Sequence, residues 1–342
     1  MAKGRLAPSP TGAQHLGNAR TYLLAYWAAR QMNADLVMRI EDIDSPRVKP
    51  WASQQAIDDL HWLGIDWEEG PDIGGANGPY VQTQRFDLYQ HALEKLIESN
   101  RVFPCTCSRK DIAAAASAPH EAGSATYKDG ATGTEAAFAH EGVIYPGTCA
   151  KWQVGDTLPP AGSFCWRFRS SDRMIDVVDL VMGHEACNPA RQLGAFPITQ
   201  KNGKMSYQLA VVVDDAMMGI TDVVRGGDLI ASAFRQIDLR CALDEAGVAG
   251  YAEPRPRFAH VPMVTGPDGR RLAKRHGDTR LSYFREQGAS SEQIVGWAAY
   301  SAGIVESDEP IQAHEVISHF DWDKLHQQDV VVDAAVCMSR WC

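Results

Sequence analysis

The chain has 342 residues, 45% of them hydrophobic and 22% charged, with a formal net charge of −10. That length suits two or three packed units, and the composition is that of a folded chain rather than a disordered one. The acidic balance excludes nucleic-acid binding through global positive charge, though not through a local basic track, and no run of about 18 apolar residues is present to cross a membrane.

The start, Met1-Ala2-Lys3-Gly4-Arg5, lacks the apolar region of a signal peptide. The eight cysteines do not form a disulfide framework at this length. A cytoplasmic enzyme in a reducing compartment is therefore expected, with no membrane association and no obligate protein partner.

Residues 3 to 8 predict a short strand, entering the turn Ser9-Pro10-Thr11-Gly12. Leu16 to Met32 has helical apolar spacing, and Asp35 to Ile40 predicts a second strand, closed by Glu41-Asp42-Ile43-Asp44-Ser45-Pro46. Ala52 to Leu63 and Phe86 to Glu98 predict two further helices. Strand, helix, strand, helix in this order implies an α/β fold with a doubly wound, Rossmann-type parallel sheet. The pattern breaks near Cys105, and residues 112 to 142 are rich in Ala, Gly, Ser and Thr, as in an inserted α+β subdomain. Phe164 to Arg169 and Ile175 to Gly183 read as strand-forming. Tyr207 to Asp215, a near-continuous apolar run, predicts an interior parallel strand. The division expected is 1–104 and 191–250 for the two halves of the sheet domain, 105–190 for the insertion and 251–342 for a mainly helical end.

A glycine-containing turn between a first strand and a helix is where such a sheet binds phosphate. Here that turn carries His15-Leu16-Gly17-Asn18. His15 and Asn18 can donate hydrogen bonds, and Gly17 lets a ligand approach the backbone. Alone the string is weak, since a histidine at a helix start is commonly a cap. Far along the chain, Gly269-Arg270-Arg271-Leu272-Ala273-Lys274-Arg275-His276-Gly277 is either a solvated basic turn or a phosphate-binding loop led by Lys274.

With both motifs present, the sequence resembles the class I aminoacyl-tRNA synthetases. His15 to Asn18 matches their HIGH signature and Arg271 to Arg275 their KMSKS signature, with Asn18 for the second histidine and Arg271 and Ala273 for the first lysine and the serine. The resemblance implies catalysis by His15, Asn18 and Lys274, and ATP binding by these with Gly17 and Arg275. Mg²⁺ is expected with the ATP.

The segments Arg5 to Gly12, Arg39 to Arg47 and Asp222 to Ile230 are similar to the glutamyl branch. That branch implies L-glutamate as substrate, bound by Arg5, Ala7, Ser9, Glu41, Tyr207 and Arg225. The chemistry is suitable: two arginine forks for two carboxylates, Glu41 for the ammonium, and neutral hydrogen bonds from Ser9 and Tyr207. Asp214 and Asp215 read as turn and cap chemistry rather than metal ligands.

Cys105, Cys107 and Cys149 supply three thiolates for a tetrahedral zinc ion. By residue type, the fourth ligand could be His120, His140 or Cys165. The resemblance instead implies Tyr145, four residues before Cys149, and one structural Zn²⁺. Only 65 residues follow Gly277 (342 − 277), too few for an anticodon-reading helical domain. Together with Arg275 to Leu281 and Ile294 to Ala299, this resembles the glutamyl-queuosine tRNA(Asp) branch of the family. The partner implied is tRNA(Asp) carrying queuosine. The competing expectations are a short glutamyl-tRNA synthetase acting on a tRNA 3′ end, and a non-catalytic protein that binds glutamyl-adenylate.

Overall fold

The computed structural model describes residues 2–43, 48–117, 142–252, 255–270, 272 and 277–341. Strand β1 (Lys3–Leu6) is followed by helix α1 (Leu16–Gln31) and strand β2 (Asp35–Met38), as the sequence predicts. Helices α2 (Ala52–Trp62) and α3 (Phe86–Glu98) also fall where expected. Three later strands complete most of the main sheet: β5 (Ile175–Asp179), β8 (Asp222–Gly226) and β9 (Arg257–Val261). The sheet order is β2-β1-β8-β9-β5-β6, with β6 (Gly183–Cys187) as an antiparallel edge on an otherwise parallel sheet. The chain moves from β1 outward to β2, and only later lays β8 on the other side of β1. A crevice therefore opens at the carboxyl ends of β1 and β8, where ligands bind in such sheets.

Helix α1 covers one face of the sheet. It is buried almost all round, with Leu23, Leu24 and Trp27 packed against Leu6, Leu36 and Met38 of the strands and Val295 and Ala298 beyond. The other face is covered by α7 (Ile230–Glu245), whose Ile230, Phe234 and Ile237 meet Val177, Val223 and Phe258.

The sequence reading is corrected at Tyr207 to Asp215. This run is not an interior strand but helix α6 (Tyr207–Met217). It lies among α3, α7 and the small sheet, so Leu209, Ala210, Val212 and Val213 are all buried, on more than one face of the helix. A helix covered this way has no polar stripe, and its apolar run carries no period to distinguish it from a buried strand. Its 11 residues are the length of a helix rather than of a strand. The parallel strand expected there is supplied by β8.

A second sheet, β3-β4-β7, is built from Val102–Cys105, Cys165–Phe168 and Phe196–Pro197 in antiparallel pairing. β5 and β6, which the expected boundary at residue 190 assigns to the insertion, pair into the main sheet instead. The alanine run that opens the insertion forms helix α4 (Arg109–Ser117), alanine being the strongest helix former. Ser108 and Asp111 exchange side-chain-to-backbone hydrogen bonds at its start. Residues 118–141, with His120, lie outside the described residues, as does His140.

The last part of the chain carries β10 (Val264–Thr265), α8 (Leu281–Glu286), α9 (Ser291–Ala302), β11 (Val330–Val331) and α11 (Ala334–Trp341). β11 pairs with β10 in parallel, and Trp341 packs edge-on against Phe284 and Trp297. Among the described residues no helix is long and apolar enough to cross a membrane.

Candidate functional site

Nine residues singled out from the sequence line one cleft of about 460 Å³: Arg5, Ala7, Ser9, His15, Gly17, Asn18, Glu41, Tyr207 and Arg225. They come from five separate stretches of chain. Lys274 and Arg275 lie outside the described residues. The chain on either side of them does reach the same place. Val264, before the loop, stands so close to Gly17 that an added Cβ there would lie 3.3 Å from the valine and 3.1 Å from the His15 ring. After the loop, Leu16 N–H donates to Thr279 O at 3.0 Å and Leu281 N–H to Gln14 O at 2.8 Å.

His15 is the N-cap of α1. Its Nδ1 accepts from the backbone N–H of Gly17 at 3.1 Å and of Asn18 at 3.4 Å, while Asn18 Oδ1 accepts from His15 N–H at 3.4 Å. Capping therefore does not compete with ligand binding at these two side chains. A nitrogen that accepts carries no proton, so the ring proton sits on Nε2. Equally, an amide whose oxygen accepts presents its NH₂ elsewhere. Both side chains are oriented as donors at the positive end of a 16-residue helix, a setting that favours phosphate.

At the other end of the cleft the sheet supplies charge. Beyond β2 the chain continues beside β1, with Arg39 N–H donating to Leu6 O at 2.8 Å and Glu41 N–H to Pro8 O at 3.0 Å. This brings the buried Glu41 carboxylate beside Ala7 and Ser9. Burial pushes the Glu41 titration up, and Arg39 and Arg5 only partly offset it. Arg5, on β1, donates to Val224 O on β8 at 2.9 Å, and its Nε is buried with no hydrogen-bond partner. Arg225 ends up on the same floor from β8, and Tyr207 from the first turn of α6. Burial raises the Tyr207 phenol despite the nearby Arg225. Leu229, Met263 and Val264 add an apolar stretch of wall.

Sequence reasoning missed what holds Glu41. Arg39 is fully buried and donates to Glu41 Oε1 at 2.9 Å, with Asp215 at 2.8 Å and Asp214 at 3.6 Å on its other nitrogens. Asp214 also accepts from Arg85 Nε at 2.7 Å, from Gln82 at 2.9 Å and from the Tyr89 hydroxyl at 3.0 Å. Asp214 and Asp215 are therefore helix residues in a buried charge network, not turn caps. The alternation Arg39-Ile40-Glu41 was the available signal, since extended chain puts positions two apart on one side.

The cysteine cluster lies at the end of the small sheet. The sulfurs of Cys105, Cys107 and Cys149 all lie within 4.8 Å of one another, and Cys107 and Cys149 are 3.7 Å apart. Tetrahedral zinc with Zn–S bonds near 2.3 Å requires sulfurs about 3.8 Å apart, so the donor set has the spacing of a zinc site. The Tyr145 hydroxyl is 3.5 Å from Cys105 Sγ and accepts from Cys149 N–H at 2.7 Å. Cys165 is outside the trio; it faces Cys105 across β3 and β4, and its hydrogen bond is the main reason the Cys105 thiol is pulled down. Lys201 Nζ donates to Thr106 O at 2.6 Å, tying this loop to the turn that precedes α6.

A family model described as the catalytic domain of class I tRNA synthetases (E and Q) matches residues 1–337. The chain is 52% identical to a glutamyl-Q tRNA(Asp) synthetase of Rhodopirellula baltica, over 96% of both chains. It is 33% identical to a glutamate–tRNA ligase of a Sulfurihydrogenibium species, over 100% of this chain and 66% of that one. Among solved structures it resembles a glutamate tRNA ligase of Elizabethkingia meningosepticum in complex with its amino acid. That match has a TM-score of 0.76 and 25% identity, and covers 99% of this chain and 68% of the other.

Proposed function

This chain belongs to the class I tRNA synthetases of the glutamate and glutamine type, and on that premise we propose that it activates L-glutamate with ATP and transfers it to queuosine in the anticodon of tRNA(Asp). One observation carries the reading: two buried arginines, a buried carboxylate and a helix N-terminus with two side-chain donors converge on one cleft.

In the reaction proposed, Arg5 and Arg225 take the two carboxylates of glutamate, and Glu41 takes its ammonium. Ser9, the Tyr207 hydroxyl and the backbone at Ala7 complete the contacts. The adenine lies against Leu229, Met263 and Val264, and the triphosphate, carried with Mg²⁺, reaches the start of α1. An oxygen of the α-carboxylate attacks the α-phosphorus. The bond from that phosphorus to the bridging oxygen breaks, and pyrophosphate leaves with the electron pair. Nε2–H of His15 and the NH₂ of Asn18 stabilise the charge gathering on the α-phosphate, Gly17 leaves room for the phosphate to approach, and Lys274 and Arg275 neutralise the pyrophosphate. A hydroxyl of queuosine then attacks the mixed anhydride, forming an ester and releasing AMP and the hydroxyl proton. No protein nucleophile is required.

A zinc ion held by Cys105, Cys107, Cys149 and Tyr145 has a structural role in this reading. Four protein ligands leave no open position for a substrate.

Greater identity to the glutamyl-Q relative than to the glutamate–tRNA ligase, 52% against 33%, favours queuosine over a 3′ end as acceptor. Two measurements test this. Glutamate-dependent ATP–pyrophosphate exchange is expected without any tRNA, and its absence would remove the activity. Labelled glutamate is expected on tRNA(Asp) with queuosine and not on the same tRNA lacking it. Label on queuosine-free tRNA(Glu) would reverse the acceptor.

A further inference from the structure

We propose that His260, anchored by Asp179, is a positioning residue that orients Arg225 for the substrate carboxylate while leaving its charge unneutralised. This rests on the assignment of Arg225 to glutamate.

The three residues come from adjacent strands, β8, β9 and β5, near the rim of the crevice. Arg225 and His260 are register partners in neighbouring parallel strands, so their side chains leave the same face of the sheet. His260 Nδ1 lies 2.6 Å from Asp179 Oδ2, and both residues are fully buried. Asp179 is fixed in turn by the backbone N–H groups of Val181 at 3.0 Å, Met182 at 2.9 Å and His260 itself at 3.1 Å. An ionised carboxylate only accepts, so Nδ1 carries the ring proton and Nε2 presents its lone pair. Arg225 Nε donates to that nitrogen at 3.0 Å.

The remaining nitrogens of Arg225 are steered similarly. Nη1 donates to Gln236 Oε1 at 2.8 Å and Nη2 to Leu229 O at 3.3 Å. Gln236 is braced by Gln208 at 3.1 Å, and Gln208 by Ser232 at 2.9 Å. The guanidinium also lies over the Phe258 ring, 5.4 Å from its centre. Imidazole, amide and carbonyl are all neutral, as is the Tyr207 phenol that also hydrogen-bonds the guanidinium. A carboxylate placed at residue 260 would hold the arginine as firmly, but it would also satisfy the charge that the substrate is meant to meet. The imidazole transmits the rigidity of Asp179 and keeps that anion one residue away. Burial, and the cations of Arg225 and Arg5, hold the ring neutral, overcoming Asp179 and drawing its pKa to about 4. Preorganising a planar fork lowers the ordering cost of binding a carboxylate.

Two substitutions separate the halves of the relay. His260→Asn keeps a donor near the Nδ1 position for Asp179 but leaves Arg225 Nε without an acceptor. His260→Gln can place an amide oxygen near the Nε2 position. In glutamate-dependent ATP–pyrophosphate exchange, H260N is expected to raise the glutamate KM by about tenfold, the scale of one lost buried hydrogen bond. The KM for ATP should stay within about twofold, and H260Q should recover most of the loss. Asp179→Asn, which removes the anchoring charge with little change of shape, is expected to raise the glutamate KM in the same selective way. The proposal is overturned by an unchanged glutamate KM in H260N, or by equal changes in both KM values across the three variants. It is also overturned if every variant unfolds at the assay temperature, because a residue needed first for folding is not a positioning residue. Exchange by the unsubstituted protein is the control: if that fails, the glutamate reading falls rather than the relay.

Discussion

Two sets of buried charges lie under the same cleft and are used in opposite ways. Around Arg39 both arginines meet carboxylates: Glu41, Asp214 and Asp215 face Arg39, and Arg85 faces Asp214. Burial alone would lower the Arg39 pKa, yet these three carboxylates hold it well above its ordinary value. Around Arg225 the hydrogen-bond partners are an imidazole, an amide, a carbonyl and the Tyr207 phenol, and burial leaves its pKa below the ordinary value. The residue types and depth are similar, so the difference lies in the partners. A neutralised arginine is scaffold, while one held by neutral groups still has a charge to offer.

The largest expected effect tests the scaffold side. Asp214→Ala leaves Arg39 and Arg85 short of a buried counter-charge, which costs about 3–5 kcal/mol. Urea or thermal unfolding should show it even where folded protein remains. Arg225→Met should behave in the reverse manner. Its melting temperature moves far less, while kcat/KM for glutamate in pyrophosphate exchange falls by at least about 100-fold, as expected for a lost charge-assisted fork. If both variants lose stability equally, the division between scaffold and site is wrong.

Metal removal comes next. Cys149→Ser, or a chelator, should release one zinc ion per chain by metal analysis. The melting temperature should drop by several degrees, with pyrophosphate exchange reduced far less than by Arg225→Met. A smaller effect follows from Glu41. Its folded-state pKa is raised, chiefly by burial and less the attraction of Arg39 and Arg5, so it gains a proton at a higher pH than an ordinary carboxyl. As pH falls through that range the substrate ammonium loses its partner, and the glutamate KM should rise. The ionised carboxylate carries a folding cost above its unfolded pKa, so protonation relieves the protein even as it weakens the substrate. A glutamate KM flat with pH while exchange persists would remove Glu41 from ammonium binding.

The parts legible in the sequence were those written locally. A strand, a turn and a capped helix share residues 3 to 31, and Cys105 and Cys107 are one residue apart. The unread parts depend on contacts between distant residues. Helix α6 shows no period because its neighbours cover it, so its apolar run is indistinguishable in sequence from a buried strand. His260 and Asp179 are 81 residues apart, and neither belongs to a recognisable string. The strands β5 and β6 follow the insertion in sequence but join the main sheet, a pairing that no local pattern records. Asp214 and Asp215 were set aside from the ligand site, which agrees with their partners, although a turn was the wrong setting for them.

The Lys201 hydrogen bond to Thr106 has a consequence in terms of linkage. Thr106 lies between two of the cysteines, and Lys201 belongs to the turn closed by the Gln200–Lys204 backbone bond just before Tyr207. A shift of the cysteine loop would therefore be passed toward Tyr207, which lines the cleft. Coupling free energies are reciprocal, so whatever zinc contributes to glutamate affinity, glutamate must return to zinc. The share of that exchange carried by this one exposed hydrogen bond is worth at most about tenfold. Saturating glutamate should slow the loss of zinc to a chelator by a few-fold, and Lys201→Met should reduce that protection without changing the metal content. The rate of zinc loss from the cysteine cluster is then the measure of whether this bond couples it to the cleft.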